Sequence, residues 1–279
     1  MDILHLPGTT LLDGAMGTQL IRRGLTPGLF PEAVNLTDPA VVRAIHRDYL
    51  EAGSQIIYAC TFGVNGRKAR GYSVGETVAA ALGNARAAVA DSGREAAVGL
   101  DVGQLGELLE PYGDLTEAEA RALYREVLEA GRGADLVALE TYFDLPEAVL
   151  AVETAKAVLD KPVFVTMTFQ AGGRTLTGCT PAEMAAALAD AGADAIGLNC
   201  SLGPVEALPI LRTLRDATDL PLIAKPNAGM PDPKTGGYSL GAADFAAQMA
   251  PVLALGVAYA GGCCGTDPDY IRELARIRV

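Results

Sequence analysis

Basic residues are scarce in this chain. Its 279 residues hold 22 Lys and Arg against 34 Asp and Glu, a formal net charge of −12, with no run of lysines or arginines. So negative a chain repels phosphate backbones and anionic headgroups, which argues against nucleic-acid and membrane-surface binding. Long apolar runs are missing as well, so no transmembrane span is read. The start, Met1-Asp2-Ile3-Leu4-His5, lacks a basic segment followed by an apolar one, so no secretory signal is expected and the cytoplasm is the expected compartment. Cysteine is sparse and odd in number, five in all, which argues against a disulfide framework. No low-complexity linker divides the sequence, and residues 1–279 are read as one domain.

What is present is a regular alternation. Half the residues are hydrophobic and a fifth are charged, as in an ordinary soluble globular protein. Eight short apolar runs are predicted as strands: Thr10–Asp13, Gln55–Cys60, Ala96–Asp101, Asp135–Glu140, Pro162–Thr168, Asp194–Cys200, Pro221–Lys225 and Val257–Gly262. Most lack polar alternation, as parallel strands covered on both faces do. Helical patterns separate them, opened by Asp38-Pro39, by Thr116 with Glu119, and by Thr180 with Glu183, the last two at capping-box spacing. Gly53, Gly133, Gly192 and Gly256 each stand between a helix and the next strand, where a left-handed C-cap is expected. One continuous strand–helix alternation of this length predicts an α/β fold of the (β/α)8 TIM-barrel type, with a doubly wound sheet as the other arrangement. Glycine-rich and polar loops, Asp13–Thr18, 172–178, 226–237 and 261–265, follow strands, so in a barrel they gather on the face that carries active sites.

Three of the five cysteines end strands on that face. Cys200 closes the sixth strand, and Cys263-Cys264 follow the eighth between glycines that permit a sharp turn. If their loops converge, three thiolates form an open zinc site with a fourth position free. Placement alone equally allows three reduced, buried thiols, since no CxxC pair is present. His5 and His46 read as ordinary residues, and Cys179 as structural.

Several motifs surround these cysteines in order: Leu12-Asp13-Gly14-Ala15-Met16-Gly17-Thr18, Asn35-Leu36-Thr37, Thr61-Phe62-Gly63, Leu139-Glu140-Thr141, Leu198-Asn199-Cys200-Ser201-Leu202-Gly203-Pro204, Pro226-Asn227-Ala228-Gly229 and Gly261-Gly262-Cys263-Cys264-Gly265-Thr266. Over nearly its whole length the chain resembles the homocysteine S-methyltransferase family, above all the homocysteine-binding domain of cobalamin-dependent methionine synthases. The resemblance implies zinc (Zn2+) on Cys200, Cys263 and Cys264 and an L-homocysteine acceptor converted to methionine. It implies that Asp13 and Glu140 receive the substrate ammonium, that amides around Gly14, Ala15 and Met16 receive its carboxylate, and that Asn199 and Asn227 belong to the same pocket, Asn227 near the metal. Three cysteinates outweigh the charge of one zinc ion, so an acceptor thiolate would stay electron-rich and nucleophilic.

The methyl donor implied by the resemblance is methylcobalamin. No Asp-x-His-x-x-Gly corrinoid motif occurs here, so the donor is expected on a separate corrinoid protein. S-methylmethionine, S-adenosylmethionine or betaine are the donors of other branches. A pterin-binding methyltransferase and a non-catalytic thiol- or zinc-binding barrel are the competing readings. The chain departs from the family pattern at Cys60, at Gln104-Leu105-Gly106 and at Lys225, all at strand ends near the barrel mouth.

Overall fold

Eight parallel strands are covered on both faces, which is why they read as unbroken apolar runs. A computed structural model describes residues 2–278 apart from Thr26, Pro27, Leu29, Arg70, Pro233 and Gly236. Met1, Val279 and two positions of the 226–237 loop thus lie outside the described residues. The strands are β1 (Thr10–Leu11), β2 (Ile56–Tyr58), β3 (Ala97–Gly103), β4 (Leu136–Tyr142), β5 (Val163–Met167), β6 (Ala195–Asn199), β7 (Leu222–Lys225) and β8 (Tyr259–Ala260). They lie in the order β1-β8-β7-β6-β5-β4-β3-β2. The remaining seam, between β1 and β2, is drawn together by Gln55 N–H donating to Leu11 O at 2.8 Å and by Tyr58 N–H donating to the Asp13 carboxylate at 2.8 Å. The expected (β/α)8 barrel is therefore the architecture observed.

A helix follows each strand: α3 (Pro39–Ala52), α4 (Val74–Ser92), α5 (Glu117–Ala130), α6 (Leu145–Val158), α7 (Pro181–Asp190), α8 (Pro204–Ala217), α9 (Ala242–Ala254) and α10 (Pro268–Ile277). Two short helices, α1 (Met16–Arg22) and α2 (Val34–Thr37), precede α3. The expected starts are found. Asp38 accepts from Val41 N–H, and Thr116 with Glu119 and Thr180 with Glu183 form capping boxes. Gly53, Gly192 and Gly256 have positive φ as expected, whereas Gly133 does not. Helix α5 stops earlier, at a cap on Gly131 with φ −85°, where a Cβ would come within 2.2 Å of Leu100. Glycine is needed there for close packing and not for handedness.

Inside the barrel, alternate residues of each strand form layers. Ile3, Ala97, Leu136, Phe164, Ala195, Ile223 and Tyr259 belong to the buried interior cluster, and the Tyr259 hydroxyl donates to Ile3 O at 2.8 Å. Continuing the same alternation towards the C-terminal ends brings Asp101, Glu140, Thr166, Asn199 and Lys225 inward. The apolar filling thus gives way to a polar layer at the mouth. Among the described residues no helix is long and apolar enough to cross a membrane.

Candidate active site

The Sγ atoms of Cys200, Cys263 and Cys264 lie within 4.8 Å of one another, and those of Cys200 and Cys264 are 3.7 Å apart. That spacing is far beyond the ~2.05 Å of a disulfide. It is close to the edge of a tetrahedron built on bonds of about 2.3 Å, the zinc–sulfur length. The backbone makes the convergence possible. Cys200 and Ser201 both adopt left-handed conformations, φ 61° and 55°, which non-glycine residues adopt only at some cost in strain. On the other loop, Gly265 turns at φ +82° with Tyr238 so near that a Cβ would meet it at 2.4 Å.

Neighbours lock this arrangement. Asn199 is fully buried. Its carbonyl accepts from Thr141 N–H at 2.8 Å and Thr166 Oγ1 at 2.9 Å, while its amide donates to Thr141 Oγ1 at 2.7 Å and faces Cys263 Sγ at 3.7 Å. It therefore stands behind the thiol and orients it. Thr266 Oγ1 donates to Cys263 O at 2.7 Å and accepts from Ala15 N–H at 3.2 Å, which staples the Gly14–Met16 turn to the cysteine loop. Gly14 is required by that approach, since a Cβ would lie 2.7 Å from Thr266 Oγ1. The Asn227 loop is pinned by Ala228 N–H to Cys264 O at 2.9 Å and Cys263 N–H to Pro226 O at 2.9 Å. The Asn227 carboxamide oxygen is buried with no partner.

These features fit a soft divalent cation. Cys200 is pushed up to about 12, chiefly by its hydrogen bond with Cys263, and Cys264 to about 11, chiefly by its hydrogen bond with Cys200; burial adds to both. Three thiols held this close stay protonated at neutral pH unless a cation gathers their charge. Cys60 lines the same cavity but stands outside the sulfur cluster.

The cavity beside the cysteines has a volume of about 330 Å³, room for an amino acid. Gly14, Ala15, Met16, Asp13, Tyr58, Asp101, Glu140 and Lys225 line it. A register irregularity between Leu139 and Tyr142, with Thr141 at φ 66°, marks the end of the strand that carries Glu140. The position between Asp13 and Glu140 is taken by a side chain of the protein itself. Lys225 Nζ lies 3.0 Å from Glu140 Oε2, 3.6 Å from Asp13 Oδ1 and 3.9 Å from the centre of the Tyr58 ring. Burial lowers the Lys225 pKa, but the two carboxylates overcome it and hold the ammonium charged. Asp101 and the reach of Lys225 were not assigned to the site from the sequence. The signal available was period two: Ala97, Gly99 and Asp101 share a strand face, as do Ile223 and Lys225.

Burial raises Asp13 from 3.8 to about 6 despite Lys225 and the Tyr58 amide. Because that lies above the unfolded value, this carboxyl stabilises the fold at and below about pH 4, and the contribution is lost as pH rises through about 6. Thermal melts of metal-free protein are therefore expected to show stability falling between these pH values, with a shallower slope in Asp13→Asn. Superimposable profiles would contradict the assignment.

The model of the family described as homocysteine S-methyltransferase matches residues 10–278. The methionine synthase of Mycobacterium leprae (strain TN) is 34% identical over 288 aligned positions, covering 94% of this chain and 24% of that protein. That of Mycobacterium tuberculosis (strain ATCC 25618 / H37Rv) is 33% identical over 303, covering 97% and 25%. The chain thus spans about a quarter of the length of these relatives. Among solved structures, the homocysteine methyltransferase MmuM from Escherichia coli superposes in its oxidized form with a TM-score of 0.82 at 26% identity, covering 96% of this chain and 95% of that one. Its metallated form gives 0.78 at 25% identity, covering 96% of each.

Proposed function

Because the chain belongs to the homocysteine S-methyltransferase family, we propose that residues 1–279 form a zinc-dependent domain that transfers a methyl group to the thiol of L-homocysteine, giving methionine. One observation carries this reading: three free cysteines from two loops, their sulfurs within 4.8 Å, open onto a cavity of amino-acid size. Cys200, Cys263 and Cys264 would hold the ion, a ligand set that favours zinc over harder cations. When bound, zinc supplies Lewis-acid ionisation of an acceptor thiol that, with a pKa of about 8.5, is otherwise only a few per cent thiolate at neutral pH.

The chain's own groups do the rest. Three cysteinates contribute more negative charge than the ion carries, so an acceptor sulfur held beside them keeps its electron density. Asn199 and Thr266 fix the cysteine loops in the geometry that attack requires. The polar layer of Asp13, Asp101, Glu140 and Lys225 recognises the polar end of the acceptor, and the Gly14–Met16 turn, which follows directly on Asp13, lines the same cavity.

For the donor we propose methylcobalamin carried by a corrinoid protein, a reading supported by the likeness to methionine synthases. Zinc-loaded protein incubated with L-homocysteine and, in separate reactions, methylcobalamin, S-methylmethionine, S-adenosylmethionine or betaine is expected to form methionine fastest with methylcobalamin. Turnover with another donor alone would replace that part of the reading. Stoichiometric zinc and homocysteine binding with no turnover from any donor would favour a non-catalytic thiol-binding barrel.

A further inference from the structure

One cation site in the cavity is already filled, and the chain fills it itself. Lys225 Nζ lies 3.0 Å from Glu140 Oε2, 3.6 Å from Asp13 Oδ1 and 3.9 Å from the centre of the Tyr58 ring. Two carboxylates and an aromatic face are the surroundings that a primary ammonium seeks. All four residues line the amino-acid-sized cavity beside the cysteines. The Lys225 side chain is 4% exposed and that of Glu140 13%, so water does little to screen these charges.

An α-ammonium and a lysine ammonium are the same functional group, with the same charge and the same donors. The cage of Asp13, Glu140 and Tyr58 therefore cannot tell them apart. Nor can it hold both, because two ammoniums in one cage repel each other at close range with little screening. Lys225 has the means to leave. Its stem is flexible, Asp101 lines the same cavity, and the Lys225 charge already acts on the Asp101 carboxyl.

We propose that Lys225 is a built-in competitor for the acceptor: its ammonium fills the Asp13–Glu140 site in the free protein, and the α-ammonium of homocysteine binds there by displacing it. This proposal rests on reading the cavity as a homocysteine site. The lysine then sets how much an amino group contributes to affinity. A cage that the lysine holds for about 90–99% of the time raises the apparent Kd of an amino-acid thiol by about 10- to 100-fold. A thiol without the amino group does not contend for the cage and escapes that effect.

The test uses the zinc-loaded chain and two probes titrated calorimetrically: L-homocysteine, and 4-mercaptobutyrate, the same molecule without its amino group. Lys225→Met and Lys225→Gln are both expected to bind homocysteine about 10- to 100-fold more tightly than wild type. Zinc content should be unaltered and 4-mercaptobutyrate bound no more tightly than before. A lysine that merely braces the wall would instead change both thiols alike. A second readout needs no variant. With lysines 13C-labelled at Cε, wild type should show one signal displaced by the Tyr58 ring current. Homocysteine should return that signal to the range of the other lysines, and 4-mercaptobutyrate should leave it in place. Homocysteine bound no more tightly by either variant, or a displaced lysine signal that is absent or unmoved by homocysteine, would overturn the proposal while the homocysteine site stands. Wild type that binds neither thiol would overturn the site reading and the proposal with it.

Discussion

Cys263→Ala is expected to lose its zinc on dialysis and to form methionine at least about a thousand-fold more slowly than wild type. Ionisation alone accounts for a factor of roughly 30, because a free thiol of pKa about 8.5 is a few per cent thiolate near pH 7. Lost positioning of the acceptor sulfur supplies the remainder. Cys263 belongs to the cluster, with the Asn199 amide 3.7 Å from its sulfur and its own carbonyl tied to Thr266. Two remaining thiols fall short of the three protein ligands that hold zinc in an open, catalytic site. The fold should survive, since Cys263 is only half-buried and the Thr266 staple to Ala15 does not depend on its sulfur. Cys60→Ala is the matched control: the residue lines the same cavity outside the sulfur cluster, and its loss should leave zinc content intact. Stoichiometric zinc and normal turnover in Cys263→Ala would refute the proposed centre.

Much of this arrangement was legible in the sequence because it depends on local chemistry. The strands announced themselves as apolar runs, since parallel strands under helices bury both faces, and three helix starts carried side chains that satisfy free amides. Boundaries were less legible where backbone turns early: the run Val257–Gly262 yields a strand only at Tyr259–Ala260, because Gly261 and Gly262 already leave it. Cysteine convergence followed from placing strands six and eight near each other in a barrel. What stayed hidden was long-range or conformational. Nothing in Cys200-Ser201 signals consecutive left-handed residues, for neither is glycine. The resemblance puts Asn199 in the pocket, but nothing local announces that its carbonyl accepts from Thr141 and Thr166 across the barrel. The pairing of Lys225 with Glu140 spans 85 positions and depends on barrel closure.

Lys225→Met is expected to lower stability by about 3–5 kcal/mol at pH 8, the usual cost of removing one partner from a buried ion pair. With an unfolding entropy near 2.1 cal/mol/K per residue, this corresponds to a fall in Tm of about 5–10 °C. Methionine fills the same stem volume, so the loss reports charge and not a cavity. It leaves Asp13 and Glu140 facing each other with no cation between them, and removes the ammonium from the Tyr58 ring. The pH dependence separates this cause from simple misfit. In wild type, Lys225 restrains the rise of Asp13, which burial nonetheless carries to about 6. Without the lysine that carboxyl rises further, so over a wider range the folded chain holds a proton that the unfolded chain has released. By linkage the variant then gains stability relative to wild type as pH falls, and the Tm gap narrows between pH 8 and pH 5. Melts of both metal-free proteins across that range test the point. A gap that is absent, or that stays constant with pH, would mean that Lys225 does not hold this pair of carboxylates.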